Sequence, residues 1–133
     1  VGLAAAAVLL GLMLALPSAG SASTRSAPVA QRVLQDASAN GWADFIVVLR
    51  DQANPAAALS AETPRAERGQ AVFDLLRGQA NTAQPALIEA LERQGAAYQP
   101  FWIVNAVAVR GSATLIEQLA ARPDVARIVS NAP

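Results

Sequence analysis

The pattern of hydrophobic and polar positions changes period several times along this chain, and each change marks an element. Residues 1–16, VGLAAAAVLLGLMLAL, form an uncharged apolar run, followed by Pro17 and the small-residue stretch SAGSAS. Such a run is shorter than the ~20 residues that cross a bilayer. With its small-residue flank it reads as the apolar core and cleavage region of a signal peptide, Ser21 or Ala22 being the last residue removed. The expectation is a signal peptide over 1–22, a secreted or periplasmic product, and no stable membrane span after its removal. The run opens at Val1 with no methionine and no basic leader, so the native N-terminus is expected to lie further upstream.

Residues 23–43 are polar and alanine-rich and read as a linker, with one short helix over 29–36. DFIVVLRD, residues 44–51, is β-branched and aromatic, bounded by Gly41 and by Asn54-Pro55, and predicts a strand. Alternation sends Phe45, Val47 and Leu49 to one face, and Ile46 and Val48 to the other. After a loop, Thr63-Pro64 opens a helical pattern, with Thr63 as N-cap and Pro64 at the first helical position. Val72, Leu75, Leu76, Gln79, Ala83, Leu87, Ala90 and Leu91 then recur at steps of three and four, up to a C-terminal Gly95. Pro85 interrupts this stripe, and predicts either a kink or two consecutive helices.

YQPFWIVNAVAVRG, residues 98–111, fits two short strands with a turn near Val104-Asn105. Ser112 caps a further helix with Leu115, Ile116 and Leu119 on one stripe, Pro123 ends it, and VARIV, residues 125–129, is a last strand. The order βαββαβ is that of an α+β, ferredoxin-like split βαβ domain: a four-stranded antiparallel sheet with two helices on one face. Sheets with one face in water normally alternate apolar and polar residues. Here Ile46, Val48 and the run from Phe101 to Val109 leave little polar surface for a second face. An uncovered apolar patch of that kind points to a partner.

Composition narrows the chemistry. The 133-residue sequence has ten Lys plus Arg and ten Asp plus Glu, with no basic cluster of the kind that neutralises phosphates, so nucleic acid is not an expected partner. It has no histidine and no cysteine. A Ser-His-Asp or Cys-His nucleophile therefore cannot be assembled within it, and structural zinc loses its usual ligands. No catalytic residue, metal or cofactor is expected. Asp44, Asp51, Asp74, Glu89, Glu92, Glu117 and Asp124 fall on element ends and polar helix faces, where solvated surface charge is the plain reading. Composition leaves open a dimerising regulatory module, a ligand-binding domain, or a companion of another domain.

The FIVVL strand, the leucine- and glutamine-rich helix, FWIVNAVAV (101–109), GSATLIEQLAARPDVARI (111–128) and the tail VSNAP together resemble the propeptide of subtilisin-like serine proteases, in particular those of bacillopeptidase F-type secreted enzymes. The resemblance spans about residues 44–131. It implies a ferredoxin-like domain that acts as intramolecular folding chaperone and temporary inhibitor. Its open sheet face, here Ile46, Val48, Phe101, Ile103, Val107 and Val109, would dock on the catalytic domain. A tail, here Val129, Ser130, Asn131, Ala132 and Pro133, would lie along the substrate cleft. On this reading the domain covers 44–129, the tail 130–133, and a catalytic domain is expected beyond Pro133. The alternatives are a stand-alone secreted inhibitor acting in trans and a ferredoxin-like module that dimerises through its sheet.

Overall fold

The computed structural model describes residues 25–133. The expected signal peptide over 1–22, with its cleavage region, lies outside the described residues. The alternating segment forms β1 (Ala43–Leu49), whose Ala43, Phe45, Val47 and Leu49 are buried. A one-turn helix, α2 (Pro55–Ala58), follows, capped by the Asn54 side chain, which accepts from the Ala57 amide at 3.2 Å. Then come α3 (Arg65–Ala83), α4 (Pro85–Arg93), the hairpin strands β2 (Ala97–Phe101) and β3 (Ala106–Gly111), α5 (Ala113–Ala120) and β4 (Val125–Ser130). The sheet order is β2-β3-β1-β4, with every neighbouring pair antiparallel. This is the ferredoxin-like split βαβ arrangement expected from the pattern.

Pro85 divides the long helix. It occupies the first position of α4, where a missing N–H breaks no intrahelical bond. Ser112 caps α5 as expected, its Oγ accepting from the Leu115 amide at 3.3 Å. Gly95 follows α4 at φ +65°, a left-handed conformation that costs glycine little. Thr63 is not the cap of α3. Its hydroxyl lies 3.1 Å from Ser60 Oγ and its carbonyl accepts from the Arg68 guanidinium at 2.9 Å, while Pro64 takes the cap position without any side-chain bond.

The expected linker over 23–43 needs correction, because most of it belongs to the folded domain. Helix α1 (Gln31–Asn40) places Val33 and Ala37, one turn apart, in the core. Before it, the chain runs beside β4 as a short parallel bridge: the Ala30 amide donates to Ile128 O and the Ile128 amide to Pro28 O, both at 2.9 Å. That bridge occupies an edge that would otherwise template foreign strands. The core therefore gathers under α1, α4 and α5 on one side of the sheet, where Leu87, Leu91, Leu115, Ile116 and Leu119 meet Phe45, Val47 and Ile128.

Helix α3 adds little to that core; of its residues only Ala80 is buried. It lies at the end of the sheet that carries the β2–β3 turn. There Phe73 meets Trp102 edge-on, with centroids 5.0 Å apart, and the Arg77 guanidinium sits 5.7 Å from the Trp102 centroid.

Candidate interaction site

The face of the sheet opposite the helices is built by the small-large alternation of β3. Val107 and Val109 point into the core, opposite Val47 and Phe45. Ala106 and Ala108 consequently point outward, opposite Val48 and Ile46. Across the four strands the outward rows read Phe101, Ala106, Val48, Arg127 and then Gln99, Ala108, Ile46, Val129. Two alanines between bulkier neighbours leave a trough along β3. The trough ends in a groove of about 380 Å³ lined by Ile46, Val48, Phe101, Ile103, Val104, Ala106 and Val129, none of them polar. Ile103 and Val104, on the turn between β2 and β3, are 66% and 50% exposed, so the groove opens beside two large apolar groups held in water. A patch of this kind is commonly an interaction surface.

Of the six residues expected on this face, Ile46, Val48, Phe101 and Ile103 come together there. Val107 and Val109 do not; they are 0% and 3% exposed beneath the helices. The four-residue turn over 102–105 resets the alternation, so the parity of Phe101 and Ile103 passes to Ala106 and Ala108. The signal was present in Ala-Val-Ala-Val itself, since the bulkier residue of such a pair is the better core former. Val104 and Ala106, part of the expected apolar run but not of the docking set, and Val129, assigned to the tail, also line the groove.

The tail also changes extent. Val129 and Ser130 are within β4, paired with Ile46 and Phe45. The Asn131 amide still donates to Asp44 O at 3.2 Å, and the Ala132 amide donates to Ser130 Oγ at 3.1 Å. Ala132 and Pro133 lie beyond the backbone pairing of β4 and line a cavity of about 260 Å³ that Asp36, Asn40 and Trp42 also border.

Two polar clusters frame the groove. Beneath its turn, Gln84 Nε2 donates to Phe101 O (2.6 Å) and Asn105 Oδ1 (3.0 Å), and Asn105 Nδ2 donates to Asp51 O (2.7 Å). Gln52 completes the set by accepting from the Asn105 amide at 3.0 Å and donating to Asn105 O at 2.9 Å. Gln84 and Asn105 are only 5% and 3% exposed, and among the described residues no buried side-chain polar atom lacks a partner. The network ties the helix break, the end of β1 and the hairpin turn into one unit, which fixes where Ile103 and Val104 stand.

At the opposite end of the open face, Arg110 makes a bidentate pair with Asp44, both contacts at 2.8 Å, and its guanidinium lies 4.4 Å from the Trp42 ring centroid. The hydrogen bonds from Arg110 hold the Asp44 carboxyl below its ordinary value, and the same bonds raise Arg110 above its own. Neither polar cluster was singled out from sequence, because each joins residues from distant elements, 17 to 66 positions apart, that carry no shared motif.

No protein-family model matches the chain, and no curated protein matches it. The fold and the site thus define an α+β domain whose apolar groove is left uncovered by the described residues, with β4 along one wall.

Proposed function

We propose that this chain is the propeptide of a subtilisin-like serine protease, an exported domain that helps the catalytic domain fold and blocks its active site until cut away. The observation that carries the reading is the groove itself. A groove lined only by apolar residues on the helix-free face gives a catalytic domain a surface to dock on, and β4, which forms one wall of it through Val129, continues directly into the tail. Extended peptides bind proteases by strand addition, with backbone hydrogen bonds giving affinity and side-chain pockets giving selectivity. The sequence resemblance supplies the identity of the partner, in cis within one precursor, or in trans if the domain acts as a free inhibitor. On this reading the chain is a ligand of an enzyme and performs no catalysis itself.

The test is titration of the purified chain against a subtilisin-type protease, with a chymotrypsin-type enzyme as control. Slow-tightening inhibition of the first alone is expected. No inhibition of several subtilisin-type enzymes by a chain shown to be folded would overturn the proposal and leave dimerisation through the groove as the better reading.

A further inference from the structure

The last row of the open face joins every strand of the sheet. Ala97 of β2 stands opposite Arg110 of β3, Arg110 opposite Asp44 of β1, and Asp44 accepts the Asn131 amide just past β4. Asp44 therefore works in two directions. Its carboxylate ties β1 to β3 through Arg110, and its carbonyl makes the last backbone contact of the chain leaving β4. Trp42, two residues earlier, lies under the same guanidinium and also borders the cavity beside Ala132 and Pro133. A planar guanidinium satisfies both partners at once, whereas an ammonium offers neither the bidentate fork nor the stacking face.

We propose that Trp42, Asp44 and Arg110 form a clamp that fixes where the chain leaves the sheet after β4, making them positioning residues for the tail. This rests on the reading of the tail as the cleft-binding segment, and it adds what determines its direction. Without the lateral tie to Arg110, the outward side of the start of β1 loses its side-chain anchor, and Asp44 is held by ladder bonds and by the burial of its neighbours Ala43 and Phe45. The contact between Asp44 O and the Asn131 amide then opens more often, and Ala132 and Pro133 are presented over a wider range of directions. A disordered tail must lose that freedom on binding, which lowers affinity without removing any contact to the protease.

The experiment uses the full chain and two surface variants, Arg110→Gln and Arg110→Lys, with Trp42→Leu as an independent third. Native-state amide exchange is read at Asn131 and at core amides such as Ile128. We expect Asn131 to exchange about tenfold faster in Arg110→Gln, in line with losing one surface ion pair and one cation–π contact. Ile128 should be unchanged, and Arg110→Lys should rescue only part of the effect. Unchanged exchange at Asn131 in both Arg110→Gln and Trp42→Leu overturns the clamp. Inhibition of a subtilisin-type protease is measured in parallel, and a roughly tenfold weaker constant, with the melting temperature lowered only slightly, is expected for Arg110→Gln. If the variant inhibits as well as the unaltered chain, the positioning role is overturned. If even the unaltered chain fails to inhibit, the propeptide reading fails while the exchange result still decides the clamp.

Discussion

Single side chains settle the shape of the site at two places. Gln84 sits where Pro85 divides the helix, and its amide is the donor for Phe101 O and Asn105 Oδ1 in a nearly dry environment. Leaving such acceptors without a donor costs ~1–3 kcal/mol, more than an average hydrogen bond contributes. Gln84→Ala should therefore destabilise the domain by about 2 kcal/mol in urea unfolding, and a change below about 0.5 kcal/mol would show that water replaces the amide. Asp44 is the second place, and its pH behaviour follows from the direction of its shift. Its folded pKa lies below the ordinary value of 3.8, so the stability it contributes is present above that value and is lost as pH falls through the depressed folded one. The melting-temperature gap between the unaltered chain and Arg110→Gln should thus be full at neutral pH and close only in strong acid, below the usual carboxylate range. Both groups face solvent, so the gap is expected to be small. A gap that closes near neutral pH would point to some other titrating group.

At the scale of elements, the β2–β3 hairpin determines what the open face offers. Its turn sends Trp102 to α3 and leaves Ile103 and Val104 beside the groove. Ile103→Asp places a charge where 66% of the residue already meets water, so folding should be unaffected. Protease inhibition should weaken by about tenfold or more, because a carboxylate brought into an apolar contact must be desolvated. Val107→Ala should do the reverse: it destabilises the domain by roughly 1–3 kcal/mol through lost core packing and leaves the groove's composition intact. Equal loss of binding per unit of lost stability in both variants would erase this distinction between the two faces. The contrast also shows what could be read from the chain. The strands, the divided helix and the Ser112 cap were legible because alternation, a proline and a cap are local signals. The face of Val107 and Val109 was not, since a turn of unknown length separates them from Phe101 and one residue more or less inverts every assignment. The short helix expected over 29–36 is found as α1, longer at its C-terminal end, but its place in the core was hidden differently. Its inward stripe is one valine and one alanine within an alanine-rich stretch, and only the pairing of Pro28 and Ala30 with Ile128 reveals why that segment is held.

For the whole molecule, the question is how a domain of this size remains folded with one face of its sheet left uncovered by the described residues. It has no disulfide, and a small single core leaves a narrow margin over chain entropy. Apolar area that the described residues leave uncovered at the groove is stabilisation that a partner can add. The isolated chain should accordingly melt early and with weak tertiary signal in near-ultraviolet circular dichroism, and become ordered when its partner is supplied. On the propeptide reading that partner is a subtilisin-type protease, tested with its catalytic serine replaced so that binding can be followed without cutting. At a free concentration one hundred times its dissociation constant it should add ~2.7 kcal/mol, by mass action alone. The melting temperature of the chain should rise with each increment of the inactive protease and not with the chain's own concentration. A rise with its own concentration, in the absence of protease, would mean that the groove is filled by a second copy. A sharp, high melting temperature indifferent to both would mean that the three core-facing helices suffice, and that the groove does not limit stability at all.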